Sequence, residues 1–281
     1  MDLDDQRLRL SDHERLVLGT ATGVVEQFLV QPVLFWKNSY QQGIRLTANP
    51  TIVYRGTFAS CANMAALTGI QFISTGALQR LAGDPSGSDA GKRWGREVTC
   101  AFLGGAVTGP VCCMFELTMI QQQRFGGTFF GTIRRITNAH GPTGLFRGLL
   151  ASTGREALFT AGYLGSLPAT RTYLHSSEGF VMPTVSPVLA ESVLTVTAGM
   201  ACALISQPLD TAKTCMQGDL EGKRYGNTLA TLRILRTEYG SVAALYRGYT
   251  FRCVLTIMDF ILLDGLSRAL THIIFPRRGS L

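Results

Sequence analysis

The chain has 281 residues and a formal net charge of +7, with 16% charged and 46% hydrophobic residues. Low charge together with 31 glycines favours packed membrane helices, whose backbones approach closely at small residues. The sequence contains no P-loop, nucleotide-binding glycine motif or catalytic cluster, so a soluble enzyme is set aside. The seven cysteines and four histidines lack metal-ligand spacing, so no metal site is expected.

The amino terminus is acidic and matches neither a secretory signal nor an Arg- and Ser-rich transit peptide. The segment Ser11-Asp12-His13-Glu14 is a capping box, which predicts that the first helix begins there. Six long helical segments are predicted in chain order, at about 12–41, 57–81, 96–123, 149–173, 187–217 and 249–274.

An internal repeat is the strongest pattern in the chain. Three aromatic-Arg-Gly triplets each precede a long segment: Tyr54-Arg55-Gly56, Phe146-Arg147-Gly148 and Tyr246-Arg247-Gly248. When Pro32, Met114 and Pro208 are aligned, glutamine recurs nine residues later, at Gln41, Gln123 and Gln217. Pro110 competes as the second anchor, but its register loses this glutamine. The pattern predicts one membrane domain over 1–281, with repeats at 12–81, 96–173 and 187–275.

Small residues lie at matching positions before each anchor. They are Gly19 and Gly23, Ala101 and Gly105, and Thr195 and Gly199. This spacing predicts a helix face on which two membrane helices pack closely. Copies two and three also contain an amphipathic segment, from Phe130 to Gly141 and from Tyr225 to Gly240. Copy one is shorter, and Asn49-Pro50 predicts a turn there.

Charge is unevenly divided between the two ends of the predicted helices. The three loops within the repeats hold twelve basic and three acidic residues, whereas the opposite side is nearly balanced. A soluble protein has no reason for this asymmetry, but a membrane protein does under the positive-inside rule. The sequence therefore predicts the repeat loops on one side of a membrane and both termini on the other.

The segment Gln207-Pro-Leu-Asp-Thr-Ala-Lys213, followed by Gln217, resembles the signature motif of the mitochondrial carrier family. The resemblance covers the whole chain, although copies one and two are degraded. It implies an all-α membrane protein of six transmembrane helices in three two-helix repeats, arranged as a barrel with pseudo-threefold symmetry. It also implies the mitochondrial inner membrane, with the repeat loops in the matrix and both termini in the intermembrane space, and no enzyme activity.

The resemblance assigns a matrix gate. In it, the motif base on the first helix of one repeat pairs with the motif acid on the first helix of the next repeat. The acid positions hold Leu34, Glu116 and Asp210, and the base positions hold Lys37, Met119 and Lys213. One inter-repeat pair, Lys37–Glu116, is therefore predicted, with Asp210 and Lys213 neutralising each other at i,i+3. Three glutamines would brace this gate: Gln41, Gln123 and Gln217. The alternative is that these charges snorkel to water at helix ends.

A second gate closes the opposite side in active family members. Its acid positions fall on Gly76, Pro168 and Arg268, and its base positions on Gln79, Arg171 and Thr271. A one-residue shift in the last helix gives Ser267 and Leu270, which is no better. No acid is present, so this gate is predicted to be absent.

The family's substrate contact points fall on Asn63, on Arg155 with Glu156, and on Leu255. An arginine followed by an acid resembles carriers of amino-acid-like zwitterions, because the guanidinium binds a carboxylate and the acid receives an ammonium group. The alternative is that these two side chains pair locally with Glu26 or Gln27 as a polar plug. Asp259 and Asp264 have no assigned partner.

Five glycines are expected at helix amino termini: Gly56, Gly131, Gly148, Gly226 and Gly248. Together with Arg55, Arg147 and Arg247 they suit anionic lipid phosphates, and the resemblance implies bound cardiolipin. Copy one, which lacks a surface helix, should lose half of its site. Apart from lipid, no cofactor and no nucleic acid partner is expected.

Two functions remain after this comparison of motifs. The favoured one is a degenerate carrier retained as an accessory structural subunit of an inner-membrane respiratory complex, because both gates lack charges and alternation needs two closed states of similar energy. The alternative is an active solute exchanger whose substrate is amino-acid-like or a carboxylate.

Overall fold

The computed structural model describes residues 12–83, 90–162, 187–238 and 240–274. In these ranges the regular structure is helical. The helices are α1 (Asp12–Gln42), α2 (Pro50–Val53), α3 (Thr57–Leu81), α4 (Ala90–Phe125), α5 (Phe129–His140), α6 (Leu149–Thr160), α7 (Pro187–Gly218), α8 (Thr228–Glu238) and α9 (Tyr249–Ile274). Short 3₁₀ turns precede α6 and α9, at Pro142–Phe146 and Val242–Tyr246. The six long helices agree with the predicted segments, except that α4 begins earlier and the predicted end of α6 lies outside the described residues.

The six long helices form a closed ring. Each packs against its two neighbours, in the order α1, α3, α4, α6, α7, α9 and back to α1. Within the described residues, three of them are long and apolar enough to span a membrane, over Val17–Gln42, Trp94–Phe125 and Val193–Gly218. Apolar side chains such as Phe28 are exposed on the outside, whereas many polar side chains are buried. This distribution is the reverse of a water-soluble protein and suits a barrel in lipid, so the predicted carrier fold is confirmed.

Close contacts at glycine bring together the two long helices of each copy. A Cβ atom on Gly105 of α4 would lie 2.7 Å from the backbone oxygen of Glu156 on α6. Gly23 of α1 lies against the side chain of Met64 on α3, where a Cβ would be 3.3 Å from the Met64 Cγ atom. Gly199 of α7 lies against α9, where its Cβ would meet a methyl group of Thr256 at 2.9 Å. The glycines nine residues before each anchor are therefore contact points, whereas a Cβ atom on Gly19 would meet nothing within 4 Å. A larger residue at Gly105 would separate the helices.

One hydrogen bond recurs in all three copies and supports the register anchored on Met114. The residue before each anchor donates to the carbonyl oxygen of the triplet arginine in its own copy. Gln31 bonds Arg55 at 3.3 Å, Cys113 bonds Arg147 at 3.4 Å through its thiol, and Gln207 bonds Arg247 at 2.9 Å. Pro110 lies inside α4, one turn before this position.

The triplet glycines join each copy to the next. All three have a left-handed backbone, with φ of 82° at Gly56, 81° at Gly148 and 79° at Gly248. Gly56 lies against Met119, Gly148 against Lys213, and Gly248 against Lys37, which are the base positions of the following copy. These contacts close the ring at the end of the barrel where the gate residues lie.

Short helices lie beside this end of the barrel. Thr128 caps α5 by accepting from Gly131 N at 3.2 Å, and Asn227 accepts from Ala230 N at 2.8 Å at the start of α8. Copy one has only the single turn α2. The predicted turn at Asn49-Pro50 is in fact the start of this helical turn, because Asn49 caps it and Pro50 takes its first position.

Candidate functional site: a charged network and the cavity beside it

A network of buried ion pairs crosses the barrel at the end closed by the triplet glycines. Lys37 Nζ lies 2.9 Å from Asp210 Oδ2, and Lys213 Nζ lies 2.8 Å from Glu116 Oε2. Arg155 Nη2 lies 2.9 Å from Glu116 Oε1. The prediction that Lys37 pairs with Glu116 is therefore wrong, and the ion pairs instead join α1 to α7 and α7 to α4.

The exchange of partners follows from the two missing charges. Met119 stands where α4 would supply a base to Asp210, so that carboxylate binds Lys37 of α1. Leu34 stands where α1 would supply an acid to Lys213, so that ammonium group binds Glu116. A buried charge without a partner is costly, which favours this arrangement over the one that the motif order predicts.

Asp210 is the most heavily engaged acid of the network. Its side chain is buried, and Gln41 Nε2 donates to Oδ2 at 2.8 Å. Lys213 Nζ lies 3.4 Å from Oδ1, so the predicted i,i+3 contact is present, and Arg155 Nε lies 3.7 Å from the same oxygen. Three bases on three helices therefore surround one carboxylate.

The three predicted bracing glutamines differ in what they contact. Gln41 binds the network directly through Asp210. Gln123 Oε1 accepts from Asn38 Nδ2 at 3.0 Å, and Gln217 Nε2 donates to the carbonyl oxygen of Cys113 at 3.3 Å. These two glutamines link α4 to α1 and α7 to α4, and neither contacts an ion pair among the described residues.

A cavity of about 390 Å³ lies beside the network inside the barrel. Lys37, Glu116 and Met119 line its network end. Glu26 is eleven residues from Lys37 on α1, so the lining extends about 16 Å along the helix axis. Glu26 and Asp259 mark the end of the cavity remote from the network.

All four predicted substrate-contact residues line this cavity. They are Asn63, Arg155, Glu156 and Leu255. The Asn63 Oδ1 atom is buried and accepts no hydrogen bond from a described residue. Arg155 contacts Glu116 and Glu156, so the predicted alternative of local pairing with Glu26 or Gln27 is wrong. Arg155 is thus already held by acids of the protein.

Arg252 of α9 lines the same cavity and was not predicted. It is 7% exposed, and its guanidinium donates to Gln207 Oε1 at 3.2 Å and to Ser206 Oγ at 2.9 Å. It also lies over the ring of Phe159 at 5.6 Å. Among the described residues it forms no ion pair, unlike Lys37 and Arg155. The signal that sequence reasoning passed over is a basic residue one helical turn after the triplet glycine Gly248.

Two acidic side chains meet in the cavity wall. The carboxyl groups of Glu26 on α1 and Asp259 on α9 are in hydrogen-bonding contact with each other. Glu26 is 5% exposed, and its Oε2 atom accepts no hydrogen bond from a described N–H or O–H donor. Asp259 therefore has a partner, although one of like charge.

The predicted positions of the second gate are only partly described. Pro168 and Arg171 lie outside the described residues, as does the side chain of Arg268. Gln79 is exposed, and Thr271 donates to the carbonyl oxygen of Ser267 at 2.6 Å within its own helix. Gly76, Gln79 and Thr271 supply no charge, so the described part of this gate contains no ion pair.

The triplet arginines lie near the carboxyl-terminal ends of α1, α4 and α7. Arg147 donates Nε to the carbonyl oxygens of Met216 at 3.0 Å and Asp219 at 2.7 Å, and it also binds the carbonyl oxygen of Tyr225. Arg247 lies over the ring of Tyr40 at 5.4 Å. Arg55 lies beside Gly126, after the end of α4. Lipid binding at Arg55, Arg147 and Arg247 and at Gly56, Gly131, Gly148, Gly226 and Gly248 stays a prediction, and Arg147 has a structural role that it did not include.

Comparison with known proteins places this geometry in a family. The family model described as mitochondrial carrier protein matches residues 91–178 and 185–272, which together exceed half of the chain. The tricarboxylate transporter FUM11 of Gibberella moniliformis is 25% identical over 87% of this chain and 83% of that protein. Mitochondrial citrate transporter A of Aspergillus niger is 26% identical over 94% of this chain and 96% of that protein.

A third relative matches more strongly over a shorter stretch. The mitochondrial glycine transporter of Xenopus laevis is 32% identical over 140 residues, which are 48% of this chain and 45% of that protein. The three relatives are transporters by name, and none is an enzyme.

Proposed function

Because the chain belongs to the mitochondrial carrier family, we propose that it exchanges a small solute bearing at least one carboxylate group across the mitochondrial inner membrane. One observation carries the proposal. Arg252 is a buried guanidinium that lines the cavity and forms no ion pair with a described residue.

The state of Arg252 implies an anionic ligand. Taking a guanidinium out of water costs several kcal/mol unless an opposite charge compensates it. Gln207 and Ser206 supply neutral acceptors, which orient the side chain, and in the described residues no acid lies close enough to form an ion pair with it. A carboxylate that enters the cavity gains a charge-assisted and planar partner at Arg252. Arg155 is already bound to Glu116 and Glu156, so it offers less to a ligand in this state.

The relatives support a carboxylate in a more general way. Their names give glycine, citrate or another tricarboxylate, and each of these compounds carries at least one carboxylate group. The free Asn63 Oδ1 atom adds a neutral acceptor for an amino or hydroxyl group of the solute. These features favour an amino acid or a small di- or tricarboxylate over a nucleotide, which needs several phosphate-binding bases.

Alternating access requires contacts that close one end of the barrel in one state and separate in the other. The network closes one end of the barrel through Lys37–Asp210 and Lys213–Glu116, so in the proposed cycle the solute enters this state from the other end. The preference for an accessory subunit of a respiratory complex depended on three features: a mostly broken inner gate, a missing outer gate and a shortened first copy. The re-paired network removes the first of them. A solute that bridges Arg252 and the network residues would supply the differential binding that shifts the equilibrium between states.

Two further features belong to the same proposal. The basic repeat loops support an orientation with the network end at the matrix and both termini in the intermembrane space. Cardiolipin at the triplet and surface-helix glycines would be bound through free N–H groups and helix dipoles, more weakly in copy one, where only the single turn α2 is present.

Reconstituted protein tests the proposal directly. Liposomes loaded with glycine, citrate or 2-oxoglutarate are mixed with the same labelled compounds, and counter-exchange is measured against protein-free liposomes. Uptake of at least one carboxylate that is trans-stimulated by internal substrate supports the proposal. Absence of exchange for all three, together with recovery of the native protein inside a large respiratory complex, would instead favour the accessory subunit.

A further inference from the structure

Glu26 and Asp259 are not explained by a carboxylate-binding cavity. They are acids, they line the cavity end remote from the network, and they contact each other across the α1–α9 interface. Two ionised carboxylates in contact repel each other strongly in a site of low dielectric constant. A hydrogen bond between two carboxyl groups requires a proton on one of them.

No base of the protein takes the place of that proton in the described residues. Neither Glu26 nor Asp259 forms an ion pair with a described residue, and no described residue donates to Glu26 Oε2. On α1 the nearest base that lines the cavity is Lys37, and on α9 it is Arg252, which is seven residues or about 10 Å from Asp259 along the helix. Both bases have other partners, Asp210 for Lys37 and neutral acceptors for Arg252.

In the described residues, the helices that pack against α1 and α9 supply no closer compensation. The single charged residue of α3 is Arg80, exposed in the last turn of that helix. The charged groups that α4, α6 and α7 direct to the cavity or network are already joined to one another. They are Glu116, Arg155, Glu156, Asp210 and Lys213.

Charge counting leads to the same result. Among the described residues, the cavity and network together contain four bases, Lys37, Arg155, Lys213 and Arg252. They contain five acids, Glu26, Glu116, Glu156, Asp210 and Asp259. One proton held between Glu26 and Asp259 makes the buried set neutral, which a membrane interior favours.

We propose that Glu26 and Asp259 form a proton-binding pair in the cavity wall, and that its proton crosses the membrane together with the carboxylate solute. The coupling to solute movement rests on the proposed transport function. The shared proton itself does not depend on that function. The proton enters from the water that reaches the open end of the cavity. It leaves to water on the other side when the barrel opens there, so that the carboxylate moves with one more positive charge than it would alone.

Two measurements test the pair and its coupling separately. The first is the infrared carbonyl band of protonated carboxyl groups in purified protein at neutral pH. We expect a band that disappears in both Glu26→Gln and Asp259→Asn but persists in Glu97→Gln, a matched change on α4 outside the cavity. A spectrum without this band, or with a band unaffected by the two cavity substitutions, would overturn the proton-binding pair.

The second measurement uses liposomes that contain a trapped pH-sensitive dye. For the wild-type protein we expect addition of a transported carboxylate to acidify the lumen, and an inward proton gradient to raise uptake several-fold. In Glu26→Gln and Asp259→Asn the ratio of uptake with and without the gradient should fall to about one, because no site remains for the proton. The ratio in Glu97→Gln should match the wild type.

The outcomes separate the two proposals. If no carboxylate is transported but the infrared band behaves as expected, the transport function is wrong and the proton pair stands. Transport without proton movement would overturn the coupling. If Glu26→Gln abolishes uptake of glycine but leaves citrate uptake intact, with no proton movement in the wild type, the pair is an ammonium-binding site and our inference is wrong.

Discussion

Lys37 of α1 and Asp210 of α7 form a buried ion pair of 2.9 Å between the first and third copies of the repeat. The motif order pairs each of them with the middle copy instead. Because α4 has Met119 at its base position, the pair skips that copy and directly joins two helices that are far apart in the sequence. Each of the four charged motif residues thus has a partner of opposite charge, although two of the six motif positions are apolar.

This pairing predicts a specific energetic coupling. Asp210→Leu leaves Lys37 buried without an acid, so it should lower the unfolding free energy by about 3–5 kcal/mol. Lys37→Met should cost less, because Gln41 and Lys213 still contact Asp210. The double variant should be less destabilised than the sum of the single variants, as measured by thermal unfolding in detergent.

The matched control is a second double-mutant cycle, in which Lys37 is paired with Glu116 instead of Asp210. Lys37→Met combined with Glu116→Leu should show a smaller coupling energy, because Glu116 is bound to Lys213 and Arg155 instead. A larger coupling for Lys37 with Glu116 than with Asp210 would restore the pairing that the motif order predicts.

The triplet glycines should differ in their tolerance of alanine. Gly56 and Gly148 share a left-handed backbone, which costs a non-glycine residue about 1–2 kcal/mol. A Cβ on Gly56 would also meet the backbone oxygen of Met119 at 3.0 Å, whereas the nearest atom at Gly148 is 3.7 Å away. Gly56→Ala should therefore lower the melting temperature more than Gly148→Ala, and equal shifts would contradict the contact across the copies.

The repeat pattern was sufficient to predict the six long helices, and the family resemblance identified four charges of the network, Lys37, Glu116, Asp210 and Lys213, but gave Arg155 a different role. The periodicity and small residues of the helices are local properties that a sequence shows directly. The pairing of Lys37 was not predictable from the motif alone, because it depends on which partner is missing from a different copy. Arg252 was not predicted, because the family's contact position on the same helix is Leu255. The contact of Glu26 with Asp259 was not predicted either, because a sequence motif indicates pairs of opposite charge and these two residues have the same charge.

The loop after α7 should be sensitive to acid through Asp219. Burial would raise the pKa of this carboxyl, but hydrogen bonds from the backbone N–H groups of Tyr225 and Arg224, both at 2.9 Å, outweigh that effect and lower it. A lowered folded-state pKa means that the stabilisation is present at neutral pH. It is lost as the pH falls below the unfolded value of about 3.9 towards the folded one.

Hydrogen exchange at these two amides measures the effect. Protection of Arg224 and Tyr225 should be high at neutral pH and should decrease in acid after correction for intrinsic exchange. Asp219→Asn should reduce protection at neutral pH and remove its dependence on acid. Protection that is the same in variant and wild type at every pH would show that the carboxylate does not hold the loop.

The orientation in the membrane can be tested with two protease sites. Lys223 is well exposed between α7 and α8, so a cleavage site inserted after it should be accessible from one side. If the basic loops face the matrix, protease added to mitoplasts should remove a tag at Met1 and leave the inserted site intact. Cleavage at the inserted site alone would reverse the topology, and detergent provides the control for both sites.

Arg252 provides the sharpest test of what the cavity binds. Arg252→Gln removes a charge-assisted hydrogen bond to the solute, worth about 1.5–3 kcal/mol, so affinity for the transported carboxylate should fall about 10- to 150-fold. Arg252→Lys should recover part of the affinity, because it restores the charge but not the planar pair of donors. Stabilisation of the detergent-solubilised protein against heat by added carboxylate measures the change without requiring transport.

The unliganded stability of the same variants separates binding from structure. Since Arg252 has no described acid partner, Arg252→Gln should leave the melting temperature unchanged or raise it, whereas loss of an ion-paired base such as Lys37 should lower it. Arg236→Gln on the exposed face of α8 serves as the control and should alter neither quantity. If Arg252→Gln strongly lowers the unliganded melting temperature while the ligand-induced shift persists, Arg252 stabilises the barrel and the carboxylate binds elsewhere.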